Sequence, residues 1–349
     1  MSRLADALEL VAVDSQSGRE ATLAGVIERR LRTNERLEVE RIGDNVVART
    51  TGLHATRVLI AGHLDTVPGD ITTAHIDGDQ LHGLGATDMK GSLAVMAEIA
   101  SQPGDHSVEV TWVFYAREEI ARHESGLLEI AELRPELLSA DVALLGEPTG
   151  GAVEAGCQGT MRVGIVLAGQ RAHTARPFRG RNAIHRMGEL LARVAEYEPR
   201  RATIDGVEFT EQLQAVLVEG GVANNVVPDR CACTLNYRVA PDRSRDEASG
   251  WLRSYLGDLM DEGDRFEVLD WAPSALPAMM NDRLRALVEL TGRPVRAKLG
   301  WTDVATFGEL GIAATNYGAG DPELAHTSGE FVTEQELDEF ARVLGAWLR

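Results

Sequence analysis

The sequence has few cysteines and no long apolar run, and each absence excludes a class of protein. Its three cysteines, Cys157, Cys231 and Cys233, are too few and of the wrong parity for a disulfide framework or a cysteine-only metal site. No apolar run approaches the roughly 18 residues that a membrane-spanning helix needs. Asp6 and Glu9 interrupt the N-terminal stretch where a signal peptide would need unbroken apolar residues. We therefore expect a cytoplasmic protein.

Positive charge is also scarce. The chain has 35 Lys and Arg residues against 54 Asp and Glu residues, which gives a formal net charge of -19. Nucleic acids and anionic membranes bind clustered Lys and Arg, so neither is an expected partner. The His-Glu-x-x-His, Gly-x-Ser-x-Gly and phosphate-loop motifs are absent as well, so the sequence does not favour the common zinc proteases, serine hydrolases or NTPases. A small-molecule substrate remains the expected partner.

Three short apolar segments in the first half of the chain predict buried strands. They are residues 57–61, 108–115 and 141–145, each of strand length and apolar enough for a mainly parallel sheet. Residues 92–100, between the first two, have the composition and apolar spacing of a helix. This alternation predicts an α/β domain.

Potential metal ligands follow each of these strands. His63 comes after the first, Glu118 and Glu119 after the second, and Glu147 after the third. In open α/β sheets, ligands bind beyond the carboxyl ends of the strands. The sequence therefore predicts a site at this edge, with His and carboxylate ligands suited to Zn²⁺, Co²⁺ or Mn²⁺.

Further candidate residues lie in loops. Asp65 is close enough in sequence to orient the ring of His63. Asp88 lies in a glycine-rich loop before a helix; the loop lacks the third glycine of a dinucleotide fingerprint, and an N-cap is the alternative role for Asp88. His326 lies in a loop rich in Thr, Ser and Gly.

The pattern changes near residue 160, where a β-α-β-β-α-β order predicts a ferredoxin-like α+β unit. The predicted strands are 161–167, 213–218, 231–239 and 266–270, and the predicted helices are 182–197 and 246–260. Because His326 lies beyond this unit, the first domain is expected to be discontinuous. We predict a catalytic domain of residues 1–159 and 273–349 with an inserted domain of residues 160–272.

The start of the inserted domain is rich in arginine. Residues 160–201 contain nine arginines and three glutamates. Guanidinium groups match carboxylates with paired hydrogen bonds, so an arginine cluster of this kind is compatible with a dicarboxylate substrate. For four of the arginines we expect a solvated helix face instead: Arg186, Arg193, Arg200 and Arg201.

The order and the residue patterns of five segments resemble the M20 family of metallopeptidases and deacylases. The segments are residues 62–68, 83–91, 118–119, 146–149 and 325–330. The resemblance implies a zinc-peptidase-like catalytic domain with a mainly parallel sheet flanked by helices, plus an inserted ferredoxin-like lid that also forms a homodimer. Within the family, residues 300–303 and 317–321 are most similar to an actinobacterial-type subgroup that acts on N-succinyl-LL-2,6-diaminopimelate.

The resemblance also implies roles for single residues. His63 and Glu147 would bind one divalent metal, most simply Zn²⁺, and Glu119 and His326 a second, with Asp88 shared. Glu118 would be the general base and acid, and Asp65 is counted with it among the catalytic residues as the partner that orients His63. His173 would stabilise the oxyanion across a dimer. The positions expected to contact substrate are Arg176, Arg179, Asn224, Asn225 and Arg238.

The activity implied by the resemblance is metal-dependent hydrolysis of N-succinyl-LL-2,6-diaminopimelate to succinate and LL-2,6-diaminopimelate, a step of lysine biosynthesis. Acetylornithine deacetylation, or another M20 aminoacylase or dipeptidase activity, is the alternative within the family, and a substrate panel separates them. A binding protein without catalysis on the same scaffold is the alternative outside enzymes. Such a protein would most simply have lost Glu118 or a metal ligand, and all of these residues are present.

Overall fold

The computed structural model describes residues 2–102 and 104–349, and these residues form two compact units. The first contains residues 2–102 and 104–156 with Pro277–Ala297 and Thr302–Arg349, and the second contains Cys157–Leu276 and Lys298–Trp301. The predicted boundaries, 159/160 and 272/273, differ from these bounds by a few residues. The prediction assigns Lys298–Trp301 to the discontinuous domain, whereas in the structure these residues belong to the second unit.

The secondary structure alternates strands and helices in the first unit and changes order in the second. The strands are β1 Leu37–Ile42, β2 Asn45–Thr50, β3 Arg57–His63, β4 His75–Asp77, β5 Gln80–His82, β6 Glu109–Tyr115, β7 Val142–Leu145, β8 Glu154–Ala155, β9 Gly159–Ala168, β10 Arg201–Ile204, β11 Val207–Thr210, β12 Gln212–Gly220, β13 Arg230–Val239, β14 Arg265–Ala272, β15 Arg296–Ala297, β16 Ala313–Asn316 and β17 Phe331–Thr333. The helices are α1 Arg3–Val11, α2 Ala21–Leu31, α3 Gly91–Ser101, α4 Gly126–Leu133, α5 Ala183–Ala195, α6 Arg245–Leu256, α7 Asp282–Thr291, α8 Val304–Glu309 and α9 Glu334–Trp347.

The first unit is built on an eight-stranded mixed sheet with the order β1-β2-β6-β3-β7-β16-β8-β15. Its centre is parallel, since β3 pairs in parallel with both β6 and β7, and β16 pairs in parallel with β7. Every residue of β6 and β7 is buried, because α2, α3 and α8 pack against the sheet and strands covered in this way are apolar throughout. The predicted α/β fold with a mainly parallel central sheet is confirmed.

The register of the parallel strands places their carboxyl ends together. His63, the last residue of β3, pairs with Tyr115, the last residue of β6, and Ala61 pairs with Leu145 at the end of β7. The loops that follow these three strands therefore start at one edge of the sheet, where an open α/β sheet binds its ligands.

A small sheet with the order β17-β5-β4 joins two distant parts of the first unit. Phe331 pairs with His82 and Thr333 pairs with Gln80 in antiparallel register. Thr333 also caps α9 in a capping box with Glu336, which fixes where the strand ends and the helix begins. This pairing places the segment after β5 beside the segment before β17.

The second unit has the predicted β-α-β-β-α-β order. Its antiparallel sheet has the order β12-β13-β9-β14, which is the strand order of a ferredoxin-like unit, and α5 and α6 pack on it. The hairpin of β10 and β11, between α5 and β12, was not predicted. Cys231 and Cys233 are buried core residues, as their spacing of two in a strand predicts.

The prediction of a solvated helix face was wrong for Arg186. Its side chain is only 9% exposed, and its guanidinium pairs with the fully buried carboxylate of Asp264 at 2.6 Å. Arg186 lies on the face of α5 that buries Ala183 and Leu190, because positions three and four apart share a helix face. Arg193 is part-exposed on α5, whereas Arg200 and Arg201 lie beyond its end.

None of the helices formed by residues 2–102 and 104–349 combines the length and the apolar character needed to cross a bilayer.

Candidate metal centre

The ring of His63 is held by Asp65, the neighbouring residue expected for this role. Its Nδ1 lies 2.9 Å from the backbone carbonyl oxygen of Asp65 and 3.6 Å from the Asp65 carboxylate. A neutral ring that donates from Nδ1 to this carbonyl presents the lone pair of Nε2 on its other side, as metal ligation requires. Burial opposes protonation of His63, but hydrogen bonds to Asp65 and Asp88 and the charge of Glu147 raise its pKa well above the ordinary value.

Asp88 lies between two histidines. Its Oδ1 is 3.1 Å from His63 Nε2, and its Oδ2 is 3.3 Å from His326 Nε2. Burial opposes ionisation, yet the hydrogen bonds to His326 and His63 keep the pKa of Asp88 well below its usual range. One carboxylate that directs each oxygen at a different imidazole has the geometry of a ligand shared between two metal ions.

His326 and Glu119 complete this group. His326 Nε2 lies 2.8 Å from Glu119 Oε1, and hydrogen bonds to Asp88 and Glu119 raise the pKa of His326 to about 10. Ligand atoms of His63, Asp88 and Glu119 all lie within 4.8 Å of one another, so these three residues could hold a metal ion. The structure thus brings together four of the five predicted ligands through direct contacts.

Glu147, the fifth predicted ligand, lies at the same edge of the sheet. It follows β7 directly after Gly146 and is only 5% exposed. Its negative charge contributes to the raised pKa of His63, which places the two side chains in one electrostatic environment. Two imidazoles and three carboxylates are a donor set that fits two divalent ions of the zinc type when one carboxylate is shared.

The carboxylate of Asp65 fixes the segment that follows β6. It accepts hydrogen bonds from the backbone N–H of Glu118 at 2.9 Å and of Glu119 at 3.0 Å. Ser17 Oγ donates to the same carboxylate at 2.7 Å. Asp65 therefore orients His63 with its backbone and the two glutamates with its side chain, a double role that the sequence did not indicate.

A left-handed residue turns the chain into this segment. Arg117 has φ of 61°, which is uncommon for a residue other than glycine. Its backbone N–H donates to Glu20 Oε1 at 3.1 Å and its guanidinium to Glu129 at 2.7 Å. Sequence reasoning missed Glu20 and Ser17; the only signal was a cluster of small and polar residues at positions 15–20.

Glu118 has an environment that favours its protonated form. Burial raises the pKa of Glu118 well above its ordinary value; His63 opposes this shift, while Glu147, Glu119 and Asp303 add to it. Asp303 is itself fully buried and accepts a hydrogen bond from Thr306 Oγ1 at 2.6 Å, and burial raises its pKa too. Clustered buried acids of this kind are common at catalytic sites, because a raised pKa suits a group that both takes and returns a proton.

Glu330 is a further residue whose contacts the sequence did not predict. It is buried, and its carboxylate accepts hydrogen bonds from the backbone N–H groups of Gly85, Thr87 and Asp88, each at 2.9 Å. Burial raises the pKa of Glu330, and the three amide donors oppose that shift. The one signal for Glu330 in the sequence is an acidic residue close after His326.

The predicted oxyanion residue and the five predicted substrate contacts lie in the second unit, and five of these six residues lie in two adjacent loops. A β-bridge joins His173 to Val226, and the Thr174 N–H donates to the Asn225 carbonyl at 3.1 Å. The exposed members of these loops are His173, Arg176, Arg179, Asn224 and Asn225. Arg238 lies in β13 instead, where it donates to Thr160 Oγ1, and burial lowers its pKa.

Comparison with known proteins identifies the family. The model of peptidase family M20/M25/M40 matches residues 59–349. The chain is 47% identical over 327 residues to the protein provisionally assigned as succinyl-diaminopimelate desuccinylase DapE of Mycobacterium tuberculosis (strain ATCC 25618 / H37Rv), covering 93% of this chain and 91% of that protein. It is 41% identical over 347 residues to the succinyl-diaminopimelate desuccinylase of Corynebacterium glutamicum, covering 97% and 94%.

A solved structure supports the same assignment at the level of the fold. The YXEP protein of Bacillus subtilis, described as a dinuclear metal-binding peptidase of the M20 family, superposes with a TM-score of 0.72 at 18% identity, covering 99% of this chain and 96% of that one. The family model, the two relatives and the fold agree, and the chain belongs to peptidase family M20/M25/M40.

Proposed function

We propose that this protein hydrolyses the amide bond of N-succinyl-LL-2,6-diaminopimelate to give succinate and LL-2,6-diaminopimelate, a step of lysine biosynthesis. The reaction type is supported above all by one observation, the Asp88 carboxylate between the Nε2 atoms of His63 and His326. The substrate is supported by relatives of 47% and 41% identity that are named as desuccinylases. We propose a cytoplasmic location, because a biosynthetic role of this kind belongs there.

The proposed metal ligands are those of the predicted set. His63 and Glu147 would bind one divalent ion, Glu119 and His326 the other, and Asp88 both. Zn²⁺ is the proposed metal, with Co²⁺ and Mn²⁺ compatible with the same donors. When bound, two such ions polarise the substrate carbonyl and lower the pKa of a bound water toward about 7.

Glu118 is the proposed general base and acid. It takes a proton from the attacking water and returns it to the departing amine nitrogen, so the carboxyl must titrate within the working range of the enzyme. Burial and the charges of Glu147 and Glu119, which raise its pKa, support this role. Asp65 supports the chemistry indirectly, because its carboxylate fixes the backbone of Glu118 and Glu119.

The loops of the second unit are the proposed substrate contacts. Arg176 and Arg179 would bind the carboxylates of the substrate, which the paired donors of a guanidinium match well. His173 would donate to the oxyanion of the tetrahedral intermediate. Exposure of these side chains supports a role in binding; Asn224, Asn225 and Arg238 are proposed as further contacts.

A substrate panel tests the proposed specificity. We expect kcat/KM for N-succinyl-LL-2,6-diaminopimelate to exceed that for N-acetylornithine by about 10- to 100-fold, which is the effect of one charge-assisted hydrogen bond to the succinyl carboxylate. Steady-state amine release by zinc-loaded enzyme measures both constants. Faster turnover of N-acetylornithine or of dipeptides would assign the protein to another activity of the M20 family.

We further propose that the second unit forms a homodimer through the edge strand β12. An uncovered edge strand presents unpaired N–H and C=O groups to another chain, and β12 lies at the end of its sheet. Val216, Leu217 and Val218 on this strand are 49–60% exposed, and Ile184 of α5 is 41% exposed beside it. A twofold axis would place the same strand of a second copy against this apolar edge, and His173 would then act on the partner's substrate.

Changing Leu217 to Arg is expected to give a monomer, because the twofold axis brings two such charges together in an apolar contact. Light scattering coupled to gel filtration should report 37.8 kDa in place of twice that mass, with a large loss of activity. Leu269→Arg, on the opposite edge strand β14 and 53% exposed, is the matched control and should stay dimeric. A monomeric wild type would refute the dimer, and a fully active monomer would refute the role of His173 across it.

A further inference from the structure

Glu330 links the two segments that supply Asp88 and His326. It lies between His326 and β17, is only 3% exposed, and directs its carboxylate at the segment between β5 and α3. Oε2 accepts from the Gly85 N–H, and Oε1 accepts from the N–H groups of Thr87 and Asp88, all at 2.9 Å. Both oxygens are therefore used, and every donor is a backbone amide near the proposed shared ligand.

These amides need a partner from outside their own segment. Gly85 is left-handed with φ of 78°, and Asp88 departs from helical geometry with φ of -120° and ψ of 92°. A segment of this shape cannot satisfy its N–H groups in the way that a regular helix does. An ionised carboxylate is an acceptor with about four lone-pair sites, so one side chain can accept from all three amides.

The backbone strengthens the same link. The Gly83 N–H donates to the Glu330 carbonyl at 3.1 Å, and the Thr87 hydroxyl donates to the Phe331 carbonyl. Strands β5 and β17 pair directly beside these contacts. The two segments therefore form one hydrogen-bonded unit, in which Asp88 and His326 approach to 3.3 Å.

We propose that Glu330 is a positioning residue for the metal centre: by fixing the backbone of residues 85–88 against the His326 segment, it holds Asp88 where its two oxygens would reach two metal ions. This inference rests on the proposed role of Asp88 as the shared ligand. Glu330 itself directs its carboxylate at backbone amides and is not one of the proposed metal ligands. Residues that orient a ligand in this way typically change metal affinity by 10- to 100-fold when they are substituted.

The test is metal affinity in the full-length protein carrying Glu330→Gln. Glutamine has the same shape, but its NH₂ group would face an amide N–H, so at least one of the three hydrogen bonds is lost. We expect the Zn²⁺ dissociation constants, measured by titration of metal-free protein against a competing chelator, to rise by about 10- to 100-fold. The visible absorption of the Co²⁺-loaded protein should also change, because the coordination geometry at Asp88 shifts.

Two further variants make the result decisive. Glu323→Gln removes the same charge from an exposed position in the same segment and should leave metal affinity unchanged, which excludes a general charge effect. Glu330→Asp keeps the charge but shortens the side chain by one methylene, and should weaken metal binding as well. Circular dichroism of the metal-free proteins checks that each variant is folded.

Wild-type Zn²⁺ affinity and an unchanged Co²⁺ spectrum in Glu330→Gln would overturn the inference. Failure of both Glu330 variants to fold without metal would also overturn it, in favour of a general structural role. A wild-type protein that binds metal but cleaves none of the tested substrates would refute the proposed function and leave this inference standing. A wild-type protein that binds no divalent metal would refute both.

Discussion

Replacing Glu118 with glutamine is expected to reduce kcat by about 100- to 10,000-fold, which is the usual contribution of a general acid–base group. Two metal ions per chain should stay bound. Glutamine has the shape of glutamate but cannot accept the proton of the attacking water. The substitution should leave the site intact, because the structure fixes this residue through its backbone N–H to Asp65. The proposed ligand Glu119 keeps its own bond to Asp65.

The measurement combines kcat for the succinyl substrate with metal content by elemental analysis. Glu124→Gln, an exposed acid in the same loop, is the matched control and should keep wild-type values of both. Substantial activity in Glu118→Gln would mean that another group is the base. Loss of metal together with activity would mean that Glu118 is itself a ligand.

Replacing Asp88 with alanine is expected to have an equally large effect through a different cause. Asp88 contacts both His63 and His326, so its removal takes a ligand from both proposed metal sites at once. We expect the variant to lose both ions on dialysis and to have no measurable activity. Metal that binds only the folded state stabilises it by about 4 kcal/mol at a concentration 1,000 times the dissociation constant, so a chelator should lower the melting temperature of the wild type and leave that of Asp88→Ala unchanged.

Asp79→Ala is the matched control for this experiment. Asp79 is an exposed acid shortly before Asp88 in the chain, and its variant should bind two metals and respond to chelator as the wild type does. An Asp88→Ala protein that still binds two metals would show that this carboxylate is not the shared ligand.

The sequence predicts those parts of the site that depend on local order along the chain. His63, Glu118, Glu119 and Glu147 each follow an apolar strand, and parallel strands direct their carboxyl ends to one edge, so the sheet brings these side chains together. The role of His326 as a metal ligand is not predictable in this way, because no apolar strand precedes it in the sequence. That role is predicted only from the resemblance to the M20 family. The ferredoxin-like order of the second unit is also predictable from local sequence, because apolar residues recur with different periods in strands and in helices.

Contacts between distant segments could not be predicted in this way. Glu330 reaches amides more than 240 positions earlier in the chain, and no periodicity encodes that pairing. Arg186 shows the same limit. Its charge predicts exposure, and only the fold places the buried carboxylate of Asp264 beside it.

The sequence predicts the neighbourhood of Asp65 but not the atoms that it uses. Proximity in sequence indicates that Asp65 orients the ring of His63, and the closest approach to the ring is made by the Asp65 carbonyl oxygen. The carboxylate is used by Ser17 and by the backbone of the two glutamates. Sequence spacing indicates which residues are neighbours, but the folded backbone decides which donor meets which acceptor.

The most direct test of the account is amine release from N-succinyl-LL-2,6-diaminopimelate by metal-depleted protein, measured before and after Zn²⁺ is restored. We expect no release without metal and full turnover when two Zn²⁺ ions per chain are present. Equal rates with and without metal, or no release by protein that has bound two Zn²⁺ ions, would contradict the account.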